Sequence, residues 1–261
     1  MSYTPNTTLL PQQIFLNSLF NTVSYNDTMK SDILFELEEP IIIPSNVDCF
    51  VQINTFKFFN TFYNVTESNN IFYYNATSVT IAPGNYSIKT FIATLNEALS
   101  MSNVYLVYDS LTFKISIVSV SGISLTLGLN NCFELIGISS DKSSSTLHVS
   151  DQLVNLAGVQ ILYLTFPNVH IKSNGVRNNV LNNVLEAVNI NVPIGSAENY
   201  GNIHSTKYKV GENVITSINI KIYDEKLRLV DFNNTDWFLS LSVIFSYKNQ
   251  HIMAPELLNE K

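Results

Sequence analysis

Four carboxylates, Asp224, Glu225, Asp231 and Asp236, fall close together near the end of the chain, with Asn233 and Asn234 among them. Carboxylates joined by carbonyl oxygens are how a calcium site is built. The spacing fits no EF-hand, and Asp and Asn are also the ordinary residues of turns. A carboxylate pair for glycoside hydrolysis would be set by the fold rather than by local spacing. The four histidines, His148, His170, His204 and His251, stand apart from one another and read as surface or turn residues rather than ligands. Cys49 and Cys132 match no zinc spacing and no redox motif, and each reads as a free buried thiol. Gly-x-Ser-x-Gly, a phosphate loop and His-Glu-x-x-His are all missing from the sequence. The expectation is a protein that is not an enzyme, with no catalytic residue, no cofactor and no metal site.

The elements that could position any such groups are mostly strands. Around the acidic turns, Ile218, Ile220 and Ile222 alternate with Asn219, Lys221 and Tyr223. Further on, Trp237, Leu239, Leu241, Val243 and Phe245 share one face. Alternation at period two marks half-buried strands. The same reasoning predicts strands at 32–37, 49–59, 158–166, 185–192, 204–210, 214–223, 227–231 and 237–247. The run at 49–59 is long for one regular strand, so a bulge is expected near Asn54. Eight antiparallel strands in two facing sheets make a jelly roll. The fold class is therefore all-β, an eight-stranded jelly roll (β-sandwich) with an inserted small α+β subdomain.

The insertion spans 77–145. Ser87 is a good N-cap, and Ile88, Phe91, Ile92, Leu95 and Leu99 follow at helical spacing. Strands are expected at 78–82, 104–109, 111–120 and 123–127. One or two helical turns at 131–137 would close on Gly137. The polar run 141–145 reads as a linker. The jelly roll then takes 31–76 and 146–248, with an N-terminal arm at 1–30 and a C-terminal tail at 249–261. The arm carries Leu9, Leu10, Ile14, Phe15, Leu19 and Phe20, which read either as a frayed terminus or as a segment that orders on a neighbouring subunit. The aromatic segment 62–74 reads as a core strand in preference to a contact loop.

Composition limits the partners. The chain has 261 residues and is 46% hydrophobic but only 13% charged, against about 25% charged in an average domain. A surface of Asn, Ser and Thr suits faces that neighbours cover, although AT-rich coding yields the same bias. Lys and Arg total 14, form no run and leave a net charge of −7, so nucleic acid is not an expected partner. No apolar run is long enough to span a bilayer, and Met1 is followed by polar residues rather than a signal sequence. The expectation is a reduced, soluble product of the cytoplasm. Six Asn-X-Ser/Thr sequons, at Asn6, Asn26, Asn64, Asn75, Asn85 and Asn233, then read as chance.

Three pieces together carry a family resemblance. They are Ser31-Asp32-Ile33-Leu34-Phe35-Glu36-Leu37 running on to Phe59, the block Val79-Thr80-Ile81-Ala82-Pro83-Gly84-Asn85-Tyr86-Ser87 before its helix, and Ile222-Tyr223-Asp224-Glu225 with Val230-Asp231-Phe232-Asn233-Asn234-Thr235-Asp236-Trp237. The chain resembles the penton, or minor capsid, proteins of virophages and polinton-like DNA viruses. The resemblance implies a structural subunit of the virion, made in the host cell cytoplasm, that forms a homopentamer at the fivefold vertices of an icosahedral shell. It further implies an insertion that projects outward and an arm that reaches the major capsid protein. The alternative is a glycan- or host receptor-binding jelly-roll module of a virion or tail. It would use segment 62–74 or the insertion to stack sugars on exposed aromatics.

Overall fold

The computed structural model describes residues 10–25, 28–167, 183–202 and 206–248. In chain order the strands are β1 (Gln12–Asn17), β2 (Val23–Ser24), β3 (Asp32–Ile42), β4 (Val47–Phe59), β5 (Ile71–Tyr74), β6 (Thr77–Thr80), β7 (Val104–Asp109), β8 (Lys114–Leu125) and β9 (Lys142–Val149). They continue with β10 (Ile161–Thr165), β11 (Val184–Asn189), β12 (Ala197–Gly201), β13 (Tyr208–Lys209), β14 (Val214–Tyr223) and β15 (Phe238–Tyr247). One α-helix, α1 (Ile88–Ala98), lies between β6 and β7. Two compact units result: Met1–Thr61 with Ile161–Lys261, and Phe62–Gln160.

In the first unit one sheet has the order β1-β15-β4-β12, with β13 also on β4. The other has the order β11-β10-β14-β3-β2. The antiparallel pairing is nested. β1 joins β15, β3 joins β14, β4 joins β12, and β10 joins β11. A long hairpin wrapped across two sheets in this way is the jelly-roll topology. The core between the sheets is what the alternation predicts. Ile33, Phe35, Ile218, Ile220 and Ile222 from one sheet are buried, as are Ile53, Phe56, Phe58, Leu239 and Leu241 from the other. Trp237 is 2% exposed, just before β15. Its ring centre lies 6.0 Å from that of Phe35 and 5.9 Å from that of Phe56, and its indole N–H donates to the Lys30 carbonyl at 2.7 Å.

The bulge is where the strand length put it. Ser240 faces Thr55 and Leu241 faces Ile53, which leaves Asn54 as the extra residue. A second break lets β3 run on past its predicted end at 37. The register jumps from Glu36 opposite Ser217 to Ile41 opposite Ile215. Pro40 sits in that interruption, where its missing N–H breaks no ladder.

Three parts of the jelly roll differ from expectation. Residues 227–231 form no strand. They belong to a tight turn in which the Asp224 N–H donates to the Arg228 carbonyl at 2.8 Å, followed by a single bridge from Tyr223 to Leu229. The missing strand is β1, inside the segment read as an arm. Its six residues pair with β15 from Asn17–Phe238 to Gln12–Val243. Of the predicted strand 204–210 the described residues show only the two-residue β13, and β12 at Ala197–Gly201 is a strand the alternation did not predict. The predicted tail at 249–261 lies outside the described residues.

The second unit is a sheet of order β6-β5-β8-β7, with β9 also on β8. Ser87 caps α1 by accepting from the Thr90 N–H at 3.2 Å, and Phe91, Leu95 and Leu99 are fully buried against the sheet. The strands predicted at 111–120 and 123–127 are one strand, β8, whose partner register shifts around Gly122 at φ +73°. Residues 131–137 form successive turns rather than a helix, ended by Gly137 at φ +75°. The predicted linker at 141–145 is instead the first half of β9, paired to β8 at Leu125–Lys142 and Ile123–Ser145. The compact insert thus runs from Phe62 to Gln160, wider than the predicted 77–145 at both ends.

Candidate functional site

The carboxylates singled out by spacing do not converge. Asp224 is buried and consumed by its own turn. It accepts from the Lys226 and Arg228 backbone N–H groups at 2.9 Å each, and from the Arg228 Nε at 2.9 Å and Nη2 at 2.8 Å. Asp231 accepts from the Asn233 N–H at 2.8 Å. Asp236 turns elsewhere, taking the Lys30 ammonium at 2.6 Å and the Ser18 hydroxyl at 2.8 Å. Burial raises the Asp236 pKa, but these two donors outweigh it and hold the carboxyl below its ordinary value. Asn233 and Asn234 take left-handed backbone at φ +48° and +58°, as turn residues do. These groups position the chain around Trp237 and leave no oxygen cage. Among the described residues no three His, Cys, Asp or Glu side chains come together as a metal would require.

The other reactive types are dispersed too. Cys49 and Cys132 are free and buried, and burial pushes their thiols up to about 11 and about 12. A thiol so far from ionisation is a poor nucleophile or ligand at neutral pH. His148 is not the surface residue expected. It is buried on β9, with Nε2 2.7 Å from the Ile123 carbonyl. His170, His204 and His251 lie outside the described residues. Burial, and then the Glu186 carboxylate bonded to its hydroxyl, raise Tyr200 to about 12. The aromatics of 62–74 mostly fill the core of the insert. Phe62 and Phe72 are buried, and Phe72 meets Phe133 edge-on at 5.2 Å.

What the fold does bring together is an uncovered apolar border along β1. This strand is the edge of its sheet. Leu16 points inward and is buried, whereas Phe15 points out at 63% exposure and stacks on Phe238, with ring centres 6.2 Å apart. The turn that follows keeps Leu19 at 59% and Phe20 at 76% exposed, and Tyr25 beyond β2 is 64% exposed. Hydrogen bonds hold the border from beneath. The Ser18 N–H donates to the Trp237 carbonyl at 3.1 Å, and the Ser18 hydroxyl oxygen accepts from the Trp237 N–H at 2.9 Å. Asn21 Nδ2 donates to the Ser18 carbonyl at 2.8 Å. The sheet face inward from this edge carries Ser240, Ser242, Asn54 and Thr55, with the exposed Lys57 opposite Phe238, and the Asn54 amide donates to the Ser242 hydroxyl at 2.9 Å. A face made mostly of hydroxyl and amide side chains with an exposed aromatic rim has the make-up of a protein contact, because large apolar patches rimmed by polar groups rarely stay in water.

Sequence reasoning placed Phe15, Leu19 and Phe20 in an arm, read either as a frayed terminus or as a segment that orders on a neighbouring subunit, and not in a strand. Because Phe15 is apolar on the outer face, it masks the alternation of Ile14 and Leu16 that marks β1.

No protein-family model and no curated protein matches the chain. Among solved structures it is similar to the mavirus penton protein, at 10% identity and a TM-score of 0.44, over 90% of this chain and 100% of that one. It is also similar to a chain in the structure of the Sputnik virophage, at 12% identity and a TM-score of 0.41, over 90% of this chain and 97% of that one.

Proposed function

We propose that this chain is a structural capsid protein of a virion, a penton subunit that forms a homopentamer at the fivefold vertices of an icosahedral shell. The observation that carries the reading is the border of β1: a jelly roll that anchors its edge strand firmly yet leaves Phe15, Leu19 and Phe20 more than half exposed. In a shell those side chains are covered, and the neighbour assigned to them is the major capsid protein. The hydroxyl- and amide-rich outer face of the same sheet is the surface for neighbouring copies. The sequence pieces that resemble penton proteins supply the class of shell. With Asp224 and Asp236 spent on turns and ion pairs, the role is one of assembly rather than chemistry.

Light scattering on a sizing column tests the ring. The expected mass is that of five chains of 29.3 kDa each. Exchanging Phe15 and Phe20 for serine is expected to leave the ring intact and to reduce its uptake into shells assembled with the major capsid protein. A chain that remains single both alone and with that partner overturns the reading.

A further inference from the structure

The insert has an apolar face that the proposed assembly has not yet used. Where β8 runs between β7 and β9, outward side chains meet in two rows. Tyr105, Val118 and Leu147 form one row, and Val107, Ser116 and Val149 form the next. The opposite side of the same strands carries Leu106, Ile117 and His148, all buried. The core side is therefore filled, and the aliphatic rows are an additional surface. Tyr105, Val107, Leu147 and Val149 are 47%, 47%, 52% and 48% exposed. Val120 continues the patch at 78% exposure, and the nearest charges on these strands, Asp109 and Lys114, stand opposite each other at its far end. An antiparallel sheet with one solvated face ordinarily carries polar residues there, and here the rule is broken on three adjacent strands.

We infer that this face packs against other copies of the same chain, closing the five inserts around the symmetry axis of the ring. The inference rests on the assembly proposed above. Three features choose this occupant. Within its two rows the patch offers a ligand the Ser116 hydroxyl and the Tyr105 phenol alone, with Asp109 and Lys114 beyond them at one end, too few polar groups among the rows to orient a sugar or a nucleotide. The chain has a net charge of −7, so like copies repel except where they meet through uncharged surface. The area is also telling. A few side chains of this size present a few hundred Å2, below the roughly 800 Å2 per partner of a stable independent complex. A contact of that size works when ring closure elsewhere holds the copies at high effective concentration. An apolar face shared by every copy of a closed ring can converge on the axis, each copy touching both neighbours.

The test uses the full chain with Val107→Lys and Val149→Lys combined, beside Met101→Lys as a control, since Met101 is 96% exposed and off these strands. The charged pair is expected to raise the concentration at which rings dissociate by about tenfold or more, as loss of a buried contact does; the control leaves it unchanged. Ser116→Cys supplies a second measurement. Both native cysteines are buried, so mild oxidation of the ring is expected to yield covalent dimers through the new thiol. Rings of unchanged mass and stability in the charged variant, with no cross-link at position 116, overturn the inference and leave the assembly standing. That result assigns the face to another protein or to a host receptor. A wild-type chain that never associates overturns both.

Discussion

The two units close their cores over very different spans of chain. In the jelly roll the decisive contacts join the ends. Ser18 and Asp236 are separated by 218 positions, and the Trp237 indole and Lys30 carbonyl by 207. In the insert the polar clamps include local ones. The Tyr86 N–H reaches the Asn64 side chain across 22 positions, and the Leu106 N–H reaches Asn96 across 10. Asn64 also ties the ends of the unit, since its amide donates to the Tyr86 carbonyl at 2.7 Å and, across 92 positions, to the Leu156 carbonyl at 2.8 Å. The cores differ in kind as well. Phe35, Phe56, Phe58, Phe232 and Trp237 make an aromatic cluster in the jelly roll, whereas a helix laid on a sheet of Ile, Leu and Val fills much of the insert. A fold whose clamps join its two ends concentrates its vulnerability there, and a fold that adds local clamps to an end-to-end one spreads it along the chain.

The sharpest way to break that contrast is Trp237→Ala. It removes the largest fully buried side chain, and the expected loss is ~3–5 kcal/mol. The loss should fall on the jelly roll, read by hydrogen exchange during denaturant unfolding as lowered protection in β3, β4, β14 and β15. Equal loss of protection in α1 and β7 would show that the two units do not respond separately. The matching lesion in the insert is Gly137→Ala. Gly137 has φ +75°, and an added Cβ would lie 2.3 Å from the Gln152 carbonyl oxygen. Strain of this sort costs about 2 kcal/mol or more, expected here as lost protection around Phe133 and Ile138, with Trp237 fluorescence unmoved.

Ser18→Ala is a smaller test of the end-to-end clamp. The hydroxyl accepts from the Trp237 N–H and donates to Asp236, and the residue is 1% exposed. Losing it leaves a buried N–H without that acceptor, for an expected ~1–2 kcal/mol. β1 should then open before the rest of its sheet, with faster exchange at Leu16 and Leu239. A variant as stable as wild type would return this segment to the status of an arm.

The insert was the more legible unit because its signals are local. A serine before a helical run of Ile88, Phe91, Leu95 and Leu99 carries its meaning within four turns of chain. So does the alternation in β7. Even there, β8 was split in two, because Ser119, Val120 and Ser121 break the pattern at the place where Gly122 redirects the strand. In the jelly roll, β4, β14 and β15 were plain from alternation, and the length of β4 betrayed the bulge at Asn54. β1 was hidden because an edge strand with an aromatic on its outer face has no clean period. Its partner is also more than two hundred residues away. The acidic turns were legible as turns. That Asp224 serves Arg228 while Asp236 serves Lys30 depends on strand placement that no local spacing encodes. The exposed rows on β7, β8 and β9 could not be called uncovered from sequence, since Val and Leu in a strand are ordinarily core.

The smallest effect compares the ion pairs of the two units. In the insert, Asp151 pairs with Lys142 and accepts from the Ser139 N–H and hydroxyl at 3.0 Å each. The Lys142 ammonium first, and Ser139 with it, hold this carboxyl down at about 2, against an ordinary 3.8. A carboxyl depressed on folding stabilises the native state above its unfolded pKa, and that contribution is lost as pH falls through the folded value. The window is therefore from about 4 down to about 2. With the side chain a third exposed, solvent screening holds the contribution below about 1 kcal/mol. In that window Asp151→Asn should flatten the acid dependence of exchange in β8 and β9 and leave β15 untouched, where Asp236 has its own pair with Lys30. A change at β15 instead would mean that the charge on Asp151 is felt across both units, and that their polar clamps are not independent.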